Sequence, residues 1–251
     1  RPKVRGDEAF GIRGSVRLTP DSNDFTVDLV ADYQKFDSAG QVPQSIFGVI
    51  SPSAPPGTIV TVDPTKVAQA IDNQSQRESW GVNATVTVPL GDVSARLITA
   101  YRRNTWVAFN GLSASSDPRS FVDTDEAADQ FSAELQLLSD DSGRFRWVAG
   151  LYYFNEKVRG VYDLKVIVVE PFPIAPGFFV GPLRLDEILI QDFRNQSLAA
   201  FAQGTYDITD SFRVTLGARY TMDWKKGTGG GSDLIVDLAG VLPPTQVGGP
   251  A

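Results

Sequence analysis

The chemistry open to this chain is bounded first by two residue types that it lacks. Histidine and cysteine are both absent. That removes Ser-His-Asp and Cys-His nucleophile relays, thiolate metal sites, most zinc chemistry and disulfides. Carboxylates, arginines, glycines and aromatics remain. Asp123, Asp125, Glu126 and Asp129 in DTDEAAD offer oxygen ligands of the kind Ca²⁺ takes. The DxDxDG spacing of a dedicated loop is missing, so a solvated loop is the expected role. Asp140 and Asp141 sit in the compact polar run SDDSGR, where carboxylates shape a turn more readily than they share a proton in a pocket. GTGGG at 227–231 lacks the Lys-Ser/Thr and the strand-to-helix setting of a phosphate loop and reads as flexible. The sequence predicts no catalytic residue, no resident metal and no cofactor, hence no enzyme.

Binding chemistry is better represented. Trp106, Phe109, Phe121, Phe172, Phe178 and Phe179 fall in irregular-looking stretches, where exposed rings could meet an apolar or sugar-like solute. The alternative is that they pack on their own loops or sit in a ring of interfacial aromatics. Arg96, Arg102, Arg213 and Arg219 occupy the polar side of alternating segments. There they could pair with carboxylates or favour anionic solutes.

The elements that carry these residues are strands of unusual length. In FRVTLGARYTMDW, Phe212, Val214, Leu216, Ala218, Tyr220, Met222 and Trp224 share one face. Arg213, Thr215, Gly217, Arg219, Thr221 and Asp223 share the other. At about 3.3 Å per residue this run is roughly 40 Å long, or roughly 30 Å high when tilted by about 40°. A globular strand is usually about 5–6 residues. Aromatics close the apolar face at both ends, as expected of rings at two water–lipid boundaries. Similar alternation defines strands at about 9–18, 25–34, 79–89, 93–106, 130–138, 145–158, 197–206 and 212–224. Short polar turns join them in pairs. Long segments at about 35–77, 107–128, 159–195 and 225–251 fill the other end, with a short helix possible in VAQAIDNQ. Long structureless loops are uncommon in compact soluble domains. The expected fold is all-β: about eight antiparallel up-and-down strands of a transmembrane β-barrel, with short periplasmic turns and long extracellular loops.

Composition permits this. The 251 residues are 42% hydrophobic and 21% charged, with a mean hydropathy of −0.12. No apolar run approaches the roughly 18 residues of a transmembrane helix, but barrel strands average out to such values. A net charge of −7 and a pI near 4.7 argue against nucleic acid as a partner. RPKVRGDEAF carries charge where a signal peptide would be apolar. With short turns periplasmic, both ends of the chain fall outside the cell, whereas single-chain barrels normally end in the periplasm. An internal piece of a larger barrel is therefore expected.

Four segments, QFSAELQLLS, RWVAGLYYFNE, ITAYRRNTW and SLAAFAQGTYDITDSFRVTLGARYTMDWKK, resemble the barrel strands of TonB-dependent outer-membrane receptors. The resemblance implies a 22-stranded barrel in the Gram-negative outer membrane, plugged by an N-terminal domain. It further implies energised uptake of a scarce solute, such as a siderophore, vitamin or oligosaccharide, through TonB. No TonB-box-like segment, plug or closing aromatic strand is present, so coupling to TonB would run through a region absent here. The rival readings are a self-contained small outer-membrane barrel with a structural, adhesive or porin-like role, and a soluble all-β binding protein.

Overall fold

The structure is a computed structural model. It describes the backbone of residues 6–22, 24–40, 43–45, 47–48, 50, 54–63, 66–140, 142–168, 172–175, 178–180, 183–232, 234–238 and 245–247, with side chains described outside 167–186 and before 231. The main strands are β1 (Glu8–Leu18), β2 (Thr26–Ser38), β3 (Gln74–Leu90), β4 (Val93–Gly111), β5 (Ser120–Ser139) and β6 (Phe145–Val168). A small hairpin, β7 (Phe172–Ala175) with β8 (Phe178–Val180), precedes β9 (Leu183–Thr209) and β10 (Phe212–Ser232). The last strands are β11 (Leu234–Leu238) and β12 (Thr245–Val247). The large sheet runs β1-β2-β3-β4-β5-β6-β9 with β10 on the lower part of β9 and β11 on its upper end. Every pairing is antiparallel, and the long strands β1 to β6, β9 and β10 pair in chain order, so the fold is all-β and up-and-down. No helix occurs among the described residues, and VAQAIDNQ is irregular. β1 and β10 are not paired with each other, so the closed small barrel is not the form seen.

Short turns and long connections lie at opposite ends. Gly91 at φ 73° and Asp92 join β3 to β4 in a two-residue hairpin, which needs a left-handed residue. Asp210 and Ser211 join β9 to β10, with the Thr209 hydroxyl accepting the Phe212 N–H at 3.0 Å. At the other end, residues 39–73 separate β2 from β3, whereas 112–119 suffice between β4 and β5.

The strands extend further toward that end than alternation predicts. β5 begins at Ser120 rather than near 130, β6 continues to Val168, β9 starts at Leu183 and β10 reaches Ser232. Much of the expected loop sequence at 107–128, 159–195 and 225–251 is therefore strand. The reason is visible in the register. These extensions mix polar and apolar residues on both faces, so they carry no clean apolar period, yet their backbones continue the same ladder. DTDEAAD is part of β5, not a solvated loop: Asp123, Asp125 and Asp129 share one face and Glu126 takes the other. GTGGG likewise lies in β10 rather than in a flexible loop, and an added Cβ at Gly227 would stand 2.7 Å from the Phe193 ring opposite.

Very little of the molecule is a conventional core. Among the described residues the only buried apolar ones are Ala108 and Ala199, while Leu216 is 76% exposed and Tyr220 70%. A soluble sandwich or lipocalin would bury such a face. That reading is set aside.

Candidate functional site: an aromatic-bounded band and the hollow above it

Opposed residues in an antiparallel sheet point the same way, so the register maps both faces. One row, Val27–Val86–Leu97–Leu135–Leu151–Ala200–Tyr220, crosses seven strands and is aliphatic until it meets Tyr220. The aromatics above it do not run parallel to it. Phe10 stands eight positions above Leu18, which is paired with Val27. Tyr33 is six above Val27, Trp80 six above Val86, Tyr101 four above Leu97, Phe131 four above Leu135, and Tyr153 two above Leu151. On β10 the ring lies on the row itself, at Tyr220. Three neighbouring pairs touch: Phe10–Tyr33 at 6.3 Å, Trp80–Tyr101 at 5.3 Å and Phe131–Tyr153 at 6.3 Å between centroids.

The ring row thus drops about eight residues over about seven strand steps. With about 3.3 Å per residue and about 4.8 Å between strands, the slant is about 38°. Barrel strands tilt by about 35–45° to the barrel axis. The slanted row is therefore level in a membrane. A second row runs parallel to it. Phe25 lies eight positions below Tyr33, Phe145 eight below Tyr153 and Phe212 eight below Tyr220. The two rows are about 21 Å apart along the membrane normal, close to the roughly 25 Å of an outer-membrane apolar band. Ala, Val and Leu predominate on the face between them, with Thr99 and Trp147 among them.

The opposite face is polar, and its arginines use neighbouring small residues to reach partners. Asp32, Gly81 and Arg102 are opposed on β2, β3 and β4. The Arg102 guanidinium passes over Gly81, where an added Cβ would lie 3.1 Å from it, and donates to both Asp32 oxygens at 2.8 and 3.0 Å. Arg219 lies over Tyr152 and Phe201 at 5.3 and 5.9 Å. Phe201 in turn covers Gly150, at which a Cβ would be 2.6 Å from the ring. Arg213 is 3.3 Å from Asp207, which also receives Arg146 at 2.7 Å. Arg96 is on the same face, between Thr87 and Gln136. All four arginines expected on the polar side are there.

Of the six aromatics named as candidate solute contacts, the three whose side chains are described, Trp106, Phe109 and Phe121, do not share one face. Trp106 is on the polar face, with its indole N–H donating to the Ser75 hydroxyl at 3.0 Å and Arg77 stacked over its ring at 5.1 Å. Phe109 and Phe121 pair on the other face at 5.2 Å. Phe172, Phe178 and Phe179 lie on β7 and β8, and their side chains are outside the described residues. The cause is strand parity: Trp106 and Phe109 are three apart on one strand, which puts them on opposite faces.

Trp106 is nonetheless at the centre of a cavity. Two adjoining hollows of about 760 and 700 Å³ open on the polar side above the upper ring row, sharing Phe36, Arg77 and Trp106. Gln34, Ser79, Asn104 and Glu126 line the first; Ser38, Pro43, Asn110, Thr124 and Tyr162 line the second. The Tyr162 hydroxyl donates to Glu126 at 2.6 Å, and this bond, with burial, pushes the phenol up to about 12. The 39–73 connection folds against 112–119 beside these hollows. The Ser116 N–H donates to the Ile59 carbonyl at 2.9 Å, and the Gly111 N–H to the Asn73 amide oxygen at 2.7 Å. Arg119 holds the Asp117 carboxyl below the usual carboxylate range there, by a hydrogen bond at 2.7 Å. Sequence reasoning missed Arg77, Phe36 and Tyr162 and weighed Glu126 only as an oxygen ligand, because no single segment encodes their convergence from β2, β3, β5 and β6. No cluster of metal-ligating side chains occurs among the described residues.

Residues 10–239 match the family described as TonB dependent receptor-like, beta-barrel. The chain belongs to the TonB-dependent receptors. Among solved structures, the ferric yersiniabactin uptake receptor FyuA from Yersinia pestis matches over 99% of this chain at 16% identity, with a TM-score of 0.65. The siderophore receptor PiuA from Acinetobacter baumannii matches over 89% at 14% identity, with a TM-score of 0.45. The chain spans 34% of the length of the first and 39% of the second. At such identity the likeness to FyuA concerns the fold, and it agrees with the barrel wall described above. No curated protein matches.

Proposed function

We propose that this chain forms part of the wall of an outer-membrane receptor that takes up a scarce solute of the ferric siderophore class, energised through TonB. The observation that carries the reading is the pair of parallel slanted ring rows bounding an aliphatic face. It supports a tilted barrel wall in a thin bilayer, and the family supplies the kind of receptor. The likeness to FyuA, named as a ferric yersiniabactin uptake receptor, favours a ferric chelate over the vitamins and oligosaccharides that the family resemblance also allows. In this reading the hollow at Arg77 and Trp106 meets the solute above the membrane. A stacked guanidinium–indole pair offers a flat cationic surface to a planar or anionic ligand. Arg102, Arg213 and Arg219 lie deeper, on the face a closed barrel turns inward.

The test is uptake of radiolabelled iron by iron-starved cells bearing the full receptor that contains this chain. Uptake that depends on TonB and falls at least tenfold in Arg77→Ala/Trp106→Ala supports the reading. Uptake indifferent to removal of the receptor contradicts it.

A further inference from the structure

Two carboxylate–guanidinium spans on the polar face have the same register geometry and different outcomes. Asp32 and Arg102 stand two strands apart with Gly81 between them, and they close at 2.8 and 3.0 Å. Arg77 and Glu126 also stand two strands apart, each opposed to Trp106. Their row, Ala9–Phe36–Arg77–Trp106–Glu126–Gly160–Gln191–Gly229, carries no other charge. Glutamate is a methylene longer than aspartate, so the reach is not shorter here. The pair nonetheless stays open. Among the described residues neither Arg77 nor Glu126 is in an ion pair. The guanidinium stands over the Trp106 ring at 5.1 Å, and the carboxylate accepts the Tyr162 hydroxyl at 2.6 Å.

What keeps the two charges apart is legible in the register. Tyr162 is opposed to Thr124, not to Glu126, so it must lean back one same-face position over Gly160 to meet the carboxylate. A Cβ at Gly160 would stand 3.1 Å from Cε2 of Tyr162 and 3.7 Å from Cγ of Glu126, so both side chains use the room that glycine leaves. A hydroxyl bound to a charged acceptor makes one of the stronger hydrogen bonds, and this one draws Glu126 toward β6, away from β3. The indole beneath Arg77 is fixed in turn, because its N–H donates to the Ser75 hydroxyl at 3.0 Å. Without the phenol oxygen, the Glu126 carboxylate loses its donor, and the cation in its own row is the partner that remains.

We propose that Tyr162 is a positioning residue: it holds Glu126 on the β6 side of the hollow, so that Arg77 stays unpaired on Trp106 and takes an anionic group of the solute. The inference deepens the reading of this hollow as the place where the solute is met, and it rests on that reading. One hydroxyl separates an anion site from a closed ion pair.

The experiment uses the full receptor in detergent and needs no solute. The fluorescence of Trp106, taken as the difference from Trp106→Phe, is quenched with iodide, an anion, and with neutral acrylamide at constant ionic strength. An unpaired guanidinium on the indole concentrates iodide there, so the ratio of iodide to acrylamide quenching reads the state of Arg77. Tyr162→Phe is expected to lower that ratio about twofold or more, and Tyr162→Phe/Glu126→Gln to restore it. Glu126→Gln is also expected to raise the ratio more in the Tyr162→Phe background than in the wild type, since only there does it release Arg77. An unchanged ratio in Tyr162→Phe would overturn the proposal, as would equal effects of Glu126→Gln in the two backgrounds. Should Tyr162→Phe not fold, Arg77→Gln decides: it must lower the wild-type ratio, and a ratio indifferent to Arg77 overturns the proposal. Because no solute enters, iron uptake indifferent to the receptor would fault the siderophore reading while leaving these ratios as they are.

Discussion

Two stretches of the same strands obey different rules. Between the ring rows, one face is aliphatic and the other polar, and a change of face alters the solvent a side chain meets. Above the upper row both faces mix charge with rings: Arg103 and Asp129 look outward with Phe109 and Phe121, while Arg77 and Glu126 look inward with Trp106. The ladder continues through both without interruption. Strand formation here is therefore set by backbone pairing with neighbours, and the side-chain period reports only where lipid is. In the lower part the environment selects the face; in the upper part cross-strand partners do.

The largest expected effect breaks the lower rule. Leu135 lies midway between the rows, so Leu135→Arg should cost about 2–4 kcal/mol in urea unfolding of the lipid-inserted receptor. Thr105→Arg, on the same face above the row, should change stability by less than about 0.5 kcal/mol. Equal costs would erase the distinction. A second effect concerns the polar face within the band. Gly150→Ala places a Cβ 2.6 Å from Phe201 and 2.7 Å from the Leu135 carbonyl oxygen. A loss of about 1–3 kcal/mol is expected in the same assay, and a neutral result would mean that Phe201 does not lie over Gly150. Asp32→Ala should cost about 1 kcal/mol, because Arg102 loses a bidentate but partly exposed partner.

The smallest effect sharpens the upper rule. Tyr162 ionises near 12, above its ordinary 10.0. A raised phenol pKa means the protonated form is favoured in the folded state. The contribution is whole below about pH 10 and is lost as pH rises toward 12. Absorbance titration should show one tyrosine ionising last, and Glu126→Gln should bring its transition down. An unchanged titration in that variant would mean that the Tyr162–Glu126 bond is not made.

What was legible in the sequence follows the same division. The face of Phe212–Trp224, the short turns and the polar placement of Arg96, Arg102, Arg213 and Arg219 could be read because lipid imposes a two-residue period. The upper strands could not. At 120–129, SFVDTDEAAD has no apolar side, so nothing local distinguishes it from a loop; only pairing with β4 and β6 makes it strand. The hollow was half seen. Trp106 stood out as a large ring in an irregular stretch, but Arg77 and Tyr162 reach it from other strands, along a register no single segment encodes. GTGGG misled because it belongs to a strand: Gly227 leaves room for Phe193, and only Gly230, at φ 88°, uses glycine's backbone freedom, beside a register shift.

The central claim is that the membrane plane cuts the hydrogen-bonded rows at about 38°. The absence of cysteine allows single nitroxide labels to be placed at Val27, Leu135 and Tyr220, three positions on one row. Their depth in the bilayer can then be read from relative collisions with oxygen and a water-soluble nickel chelate. The account predicts the deepest value at Leu135, with Val27 near the boundary on the short-turn side and Tyr220 near the opposite one. Three equal depths would mean that the row lies level in the membrane, and the slanted ring rows would then not mark its surfaces.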